Sequence, residues 1–332
     1  MGRNIKEHFM KKALITGING QDGYYLSEFL LTKGYRVYGM SRLNFVNTTS
    51  FLQLNKEVRC ITGDLANKTS LLKCIEESDP DEVYNLGGIS SVKNSWRIPE
   101  KINNINGMGV LRLLETIKDY NKSIRFYQAS TSEIYGKPTE APQNETTQFY
   151  PRSPYGISKL FGHWITKNYR ESHNMFACNG ILFNHESERR KEEFVTRKIS
   201  KGVAKIFLGL EDQIVLGNID GRRDWGYAPD FVEAMWLMLQ QDNPDDYVVA
   251  TERSSSIRDF LTVAFECVGI HDWEKYIKQN EKYMRPMDVG NLIGDCTKAK
   301  KVLGWKPKVT FEEMAEKMVM NDIELLRKKV VF

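Results

Sequence analysis

Three glycines at three-residue intervals, Gly17, Gly20 and Gly23 in ALITGINGQDGYYL, separate an apolar run from an amphipathic one. No other feature of the chain limits its fold so strongly. An apolar strand that stops at glycine and passes at once into a helix is the first unit of a parallel sheet. Glycine there lets the backbone turn tightly and approach an anion at the helix N-terminus. The spacing is GxxGxxG rather than GxGxxG, and glycines at such a junction also serve as plain turn formers. The rest of the chain has to decide between the two readings.

Short apolar runs continue downstream: RVYGM (36–40), VRCITGD (58–64), EVYNLGG (82–88), IRFYQAS (124–130) and CNGILFN (178–184). Helix-like segments lie between them, among them YYLSEFLLTKG (24–34), GVLRLLETIKDY (109–120) and YGISKLFGHWITKNY (155–169). Alternation at this spacing predicts an α/β fold, a doubly wound parallel sheet of Rossmann type covered on both faces. From about residue 185 charged loops interrupt the helices, which predicts a smaller mixed α/β substrate-binding lobe. The expected division is a tail over 1–10, a sheet domain over 11–183 plus about 214–242, and a lobe over 184–213 plus 243–332.

A length of 332 residues suits that two-part plan, and a net charge of +4 without a dense Lys/Arg run gives no footprint for nucleic acid or anionic membrane. The five cysteines are scattered, with no CxxC pair, so they read as reduced thiols of a cytoplasmic protein without a metal site. No run approaches a membrane span, and Lys6 stands where a myristoylation signal needs Ser or Thr.

A glycine turn at the first strand–helix junction of such a sheet reads best as a dinucleotide cradle, and Asn19, Gln21 and Asp22 are read with it as cofactor-binding. At the end of the second strand Arg42 stands where a carboxylate would bond the ribose 2′-hydroxyl of NAD. That favours NADP and leaves NAD open. Asp64 and Leu65 are candidates for the adenine end, and Asn85, Leu86 and Gly87 of NLGG line the next strand's carboxyl edge. Tyr155 and Lys159, four residues apart in SPYGISK, share one helix face. A phenol is a poor base near neutrality. A neighbouring ammonium and a positive nicotinamide favour its phenolate, so Tyr155 can take a hydroxyl proton while hydride leaves the same carbon.

At this point the chain resembles the extended short-chain dehydrogenase/reductases, and within them the GDP-mannose 4,6-dehydratase family. The resemblance runs from about residue 11 to 330 and rests on TGINGQDGYYLSEFLL, FYQASTSEIYGK, ETTQFYPRSPYGISKL, NGILFNHES, FVTRKIS, RDWGYAPDFVEAMWLMLQ and RPMDV…GDCTKAKKVLGWKP. It implies that Tyr155, Lys159 and NADP oxidise the sugar at C4, and that Glu133 then removes the C5 proton as water leaves C6. Thr131 would hold the C4 oxygen, Ser132 would assist at C6, and hydride returning to C6 regenerates the cofactor. The resemblance also places the GDP-sugar against Ser90, Ser91, Asn184, Thr196, Lys198, Arg223, Arg285 and Asp288, and implies a homodimer or homotetramer.

The chain departs from the family pattern in three places. SRLNFVNTTSFLQLN replaces the paired arginines and Ser-rich loop after the second strand, which bears on cofactor preference and assembly. Ser91 stands where a His is common beside the sugar, and Asp288 replaces a Glu. A smaller residue at 91 admits a sugar extended beyond C6, so GDP-D-glycero-D-manno-heptose stands beside GDP-mannose as expected substrate. A GDP-sugar 4-reductase or epimerase on the same scaffold is the competing reading. Glu133 discriminates, because neither of those reactions needs a base at C5.

Overall fold

The structure, a computed structural model, describes residues 10–42, 54–280 and 292–330. The tail before Met10, the loop over 43–53, Arg285 and Asp288 lie outside the described residues. The chain opens with β1 (Lys12–Thr16), α1 (Gln21–Thr32), β2 (Arg36–Ser41), β3 (Arg59–Thr62), α2 (Lys68–Ser78) and β4 (Glu82–Asn85). Two short helices, α3 (Val92–Ser95) and α4 (Pro99–Ile102), and a π-helical turn at Asn103–Gly107 lead into α5 (Met108–Asn121). Then come β5 (Arg125–Ala129), α6 (Pro154–His173), β6 (Ala177–Leu182), β7 (Asn184–Glu186) and α7 (Val195–Phe207). The remainder is β8 (Ile214–Leu216), β9 (Arg222–Tyr227), α8 (Ala228–Leu239), β10 (Asp246–Val249), β11 (Ser254–Ser256), α9 (Ile257–Glu266), β12 (Ile277–Gln279) and α10 (Phe311–Val330).

Seven strands form one sheet in the order β10-β6-β5-β4-β1-β2-β3, with every neighbouring pair parallel. From β1 the chain builds outward in one direction to β3 and in the other to β10. The order reverses between β1 and β4, which opens a ligand crevice at their carboxyl ends. Every residue of β4 and β6 is buried, as a sheet covered on both faces requires. Leu26 and Leu30 of α1 and Met235 of α8 cover one face; Leu71 and Ile75 of α2 and Leu113 and Leu114 of α5 cover the other. Each such side chain contributes about 1.5–3 kcal/mol on burial. The expected doubly wound sheet is the one observed.

Helix α6 carries its own start and stop. The Ser153 hydroxyl accepts from the Gly156 N–H at 3.0 Å, Pro154 occupies the first turn, and Asn174 ends the helix in the left-handed region at φ 52°. The cap at Ser153 sets where α6 starts, and the inward face of the helix holds Tyr155 and Lys159.

The smaller lobe has two sheets, β11-β9-β7 and β12-β8, packed with α7, α9 and α10 around Ile199, Val203, Trp225, Phe260, Phe265, Met314 and Met318. The strands fall differently from the expected division. β8 and β9, expected with the sheet domain, lie in the small sheets, while β10, expected in the lobe, is the edge strand beside β6. Helix α8 packs against the large sheet and delivers the chain to its open edge. There a forked Arg170–Asp246 pair, with bonds of 2.8 and 2.9 Å, pins β10 to α6. No helix among the described residues is long and apolar enough to cross a membrane.

Candidate active site

The glycine turn sits at the mouth of the crevice between β1 and β4. Gly17 has φ +73°, and a Cβ there would lie 2.8 Å from the Gly87 backbone. A Cβ on Gly23 would lie 2.5 Å from the Gly17 carbonyl oxygen. Glycine at 17 and 23 is therefore what lets the turn close under α1. Gly20 is the N-cap residue of α1 and no side chain caps it. An anion at this helix start meets N–H groups without a competing side-chain acceptor. Asn19 donates to the Ser41 hydroxyl at 2.8 Å, and its own carbonyl oxygen is buried without a partner. An uncapped helix start, a turn no Cβ would fit and an orphaned buried acceptor together fit a dinucleotide.

Other cofactor candidates are distributed less simply. The Asn85 amide lies in a buried ladder, accepting from the Thr16 hydroxyl and donating to Gln128, each at 2.7 Å. Thr16 in turn accepts from the Gly87 N–H at 2.9 Å, so Asn85 sets the height of the NLGG edge through its neighbours. Leu86 and Gly87 line that edge at the crevice, half-buried. Leu65 is in the core, and Asp64 accepts from the Ala66 N–H at 2.9 Å, closing a turn just past β3. Arg42 is exposed one residue beyond β2. Gln21 and Asp22 point across to the lobe: Gln21 accepts from the Ser187 hydroxyl at 2.7 Å, and Asp22 faces His185 at 2.9 Å.

Thr131, Ser132, Glu133, Tyr155 and Lys159 meet at the carboxyl edge of β5. A single 3₁₀ turn over Ser132–Ile134 carries Glu133, and the Thr131 hydroxyl accepts from the Glu133 N–H at 3.3 Å. Ser132 and Glu133 are buried, Glu133 being 8% exposed. Thr131 favours the Tyr155 phenolate, and the charge of Glu133 opposes it. Lys159 donates to the Ala129 carbonyl at 2.8 Å, and its Nζ lies 6.0 Å from the Tyr155 ring centroid. Burial dominates both titrations, pushing the Tyr155 phenol up to about 12 and the Lys159 ammonium down to about 8. Desolvation of the buried phenolate, reinforced by the charge of Glu133, raises the Tyr155 phenol against the opposing pull of Thr131 and Arg190.

Sequence reasoning missed Asn106. It lies in the π-helical turn before α5, 2% exposed, and exchanges two bonds with the Ile89 backbone at 2.9 and 3.0 Å. Lys159 Nζ and Asn106 Oδ1 both border the space beside Gly88, so Asn106 belongs to the same edge. NNING has no hydrophobic period that marks an inserted residue, which is why the turn was not foreseen.

In the lobe, Asn184 opens β7 and is half-buried. Thr196 is buried and donates to Glu186 at 2.5 Å, so its hydroxyl serves the protein itself. Arg223, on β9, donates to the Arg222 carbonyl at 2.6 Å, and Lys198 is half-buried in the first turns of α7. Ser90 is exposed, while Ser91 is the N-cap of α3, accepting from the Asn94 N–H at 3.3 Å.

A sequence model of the family described as GDP-mannose 4,6 dehydratase matches residues 14–318. Human GDP-mannose 4,6 dehydratase is 50% identical over 342 aligned residues, which cover 95% of this chain and 92% of the human one. Among solved structures, UDP-glucose 4-epimerase of Thermotoga maritima with UDP-glucose has a TM-score of 0.83 at 26% identity, covering 96% of this chain and 99% of that one. The dTDP-glucose 4,6-dehydratase of Bacillus anthracis in complex with NAD has a TM-score of 0.80 at 22% identity, covering 94% and 96% respectively, a likeness of fold.

Proposed function

The chain belongs to the GDP-mannose 4,6 dehydratase family, and from that premise we propose that it dehydrates GDP-mannose to the GDP-4-keto-6-deoxy sugar. One observation carries the reading: a buried carboxylate, Glu133, on a one-turn 3₁₀ helix beside Tyr155 and Lys159. A redox site that only reduced or epimerised C4 would not need a second base. A dinucleotide held at the glycine turn by Gly17, Gly20 and Gly23 would supply the hydride chemistry, taking hydride from C4 and giving it back at C6. Thr131, beside Tyr155, orients the C4 hydroxyl, and Tyr155 receives its proton. With the phenol raised by burial, the lowering must come from positive charge placed beside it on binding. Glu133 removes the proton from C5, made acidic by the new C4 ketone, and Ser132 assists departure of the C6 hydroxyl. Asn184, Lys198 and Arg223 hold the diphosphate and nucleotide, with Arg285 and Asp288 expected on the same side.

Arg42 beyond β2, with no acid in its place, favours NADP as the dinucleotide. Mass analysis of nucleotide released from purified protein tests this, and a clear excess of NAD would reverse it. Met108 on α5 and Ile157, Phe161 and Trp164 on α6 are exposed apolar residues, which supports a homodimer through those helices. Sedimentation at micromolar concentration checks it. Incubation with GDP-mannose and a panel of GDP-sugars tests the activity itself: the expected product is lighter by one water, with no net reduced cofactor. Turnover to a 4-epimer or 4-reduced sugar would replace the reading.

A further inference from the structure

His185 lies between the two parts of the site, and both of its ring nitrogens face acceptors. Nδ1 is 2.8 Å from the Phe183 carbonyl oxygen, and Nε2 is 2.9 Å from Asp22 Oδ2. A carbonyl can only accept, so Nδ1 carries a proton. Beside a carboxylate Nε2 must carry one too, and the ring satisfies both contacts only as imidazolium. The ring also stacks on Phe231 of α8, centroids 4.7 Å apart. Side-chain exposure is 12% for His185 and 22% for Asp22, so this is a largely desolvated ion pair.

Its partners give it meaning. Asp22 is in the first turn of α1, just beyond Gly20, and His185 directly follows Asn184. The neighbouring residues repeat the link. Gln21 donates to the His185 carbonyl at 3.1 Å and accepts from Ser187, while Tyr25 of α1 donates to Glu188 at 2.8 Å. Four contacts thus join the start of α1 to residues 185–188.

We infer that His185 is a positioning residue: as an imidazolium clasp between Asp22 and the Phe183 carbonyl, it fixes the phosphate cradle at the start of α1 relative to Asn184. The cofactor role of that cradle rests on the function proposed above; the clasp itself does not. The charged groups facing the ring are Asp22 from α1 and Arg190 from the segment after β7. Asp22 favours the imidazolium, and burial and Arg190 oppose it; the balance lifts His185 above its usual value, while Asp22 is held down at about 2. For a histidine raised on folding, the contribution is complete below the unfolded value of about 6.5 and is lost as pH climbs through the folded one. Asp22 also raises the titration of Lys159 and Tyr155, so the clasp reaches the catalytic pair through that charge.

The test combines nitrogen NMR of the histidine rings with NADP affinity, both measured in wild-type protein from about pH 6 to 9.5. At pH 7.5 the His185 ring should hold both protons, whereas the buried His163, held down at about 4, stays neutral throughout. The dissociation constant for NADP should rise at least about fivefold as pH passes the His185 midpoint, the lower end of ordinary coupling between sites. Asp22→Asn is the diagnostic variant, since an amide N–H can donate to a neutral Nε2 while Nδ1 still donates to Phe183. It should leave His185 neutral and NADP affinity flat with pH. His185→Gln should bind NADP more weakly than wild type at pH 7 and also lose the pH dependence. A neutral His185 ring in wild type at pH 7.5 overturns the proposal, as does an NADP affinity with the same pH profile in wild type and either variant. Should a variant fail to fold, the two wild-type measurements decide alone. Failure to turn over GDP-mannose would remove the proposed activity and leave the NMR result standing.

Discussion

The carboxyl edge of β5 and the smaller lobe are proposed to do comparable work with opposite economy. At the first, Thr131, Ser132 and Glu133 are consecutive, and one 3₁₀ turn and one capped helix place every reactive group. At the second, residues expected to face substrate are also bonded within the protein: Thr196 to Glu186 and Arg223 to a neighbouring carbonyl. The groups proposed for the chemistry come from two short stretches, 131–133 and 155–159, brought to one sheet edge. The residues proposed to recognise the nucleotide are spread over a scaffold whose polar groups must also satisfy one another.

The largest effects are expected where the proposed reactive groups are removed singly. Tyr155→Phe should show no reduced nicotinamide during turnover, because the first proton transfer is lost. Glu133→Gln should lower product formation by roughly 10²–10⁴-fold, the usual loss of a general base. Here the reduced nicotinamide should appear and persist in stopped-flow absorbance. Near-normal product from Glu133→Gln, or reduced cofactor at the wild-type rate from Tyr155→Phe, would detach the chemistry from the β5 edge.

The same edge carries a cost in stability. Lys159 is held near 8 by burial, against its ordinary 10.5. Between those values the unfolded chain binds the proton and the folded one does not, so stability rises with pH across the window. At about 1.4 kcal/mol per pH unit, wild type should gain about 3 kcal/mol relative to Lys159→Met between pH 8 and 10.5. Denaturant unfolding at several pH values reads this directly. Parallel curves for the two proteins would mean that Lys159 is solvated rather than buried.

What was legible in the sequence follows the same division. Every strand of the first half was marked by an apolar run flanked by a turn, and α1, α5 and α6 by their periodicity. Local signals of that kind survive folding unchanged. The clasp between Asp22 and His185 joins residues 163 positions apart, and no spacing rule reaches that far. Nor does composition reveal that β10 pairs with β6 and not with the lobe, since DYVV suits either sheet. Asn106 was hidden for another reason: a π-helical turn shifts the register of a helix without changing its residue types.

Thr196→Val sharpens the comparison from the lobe side. Removing the hydroxyl leaves Glu186, 1% exposed, with one fewer donor. The expected cost is about 1–3 kcal/mol in unfolding free energy, with the Michaelis constant for GDP-mannose changed less than about threefold, below 1 kcal/mol. A tenfold rise in that constant with unchanged stability would place the hydroxyl on the nucleotide and make the lobe as directly functional as the β5 edge.

The smallest effect is expected at Ser91, at the start of α3 beyond β4. Read from sequence, a serine in place of histidine leaves room for a sugar one carbon longer than mannose. Such a carbon in a fitted pocket is worth about 1–3 kcal/mol of discrimination. In the structure Ser91 is half-buried, and its hydroxyl faces the Asn94 N–H at 3.3 Å, starting a helix of four residues. A long bond at the start of so short a helix puts the loss of this cap near the low end of the usual range, about 0.5 kcal/mol. Ser91→His should therefore lower kcat/KM for GDP-mannose and for GDP-D-glycero-D-manno-heptose alike, within about threefold, because the bond that the side chain makes is to the Asn94 N–H. Paired measurements on the two substrates decide it. A loss at least tenfold greater for the heptose would turn the side chain toward C6 and make position 91 the point where this chain sets the length of its sugar.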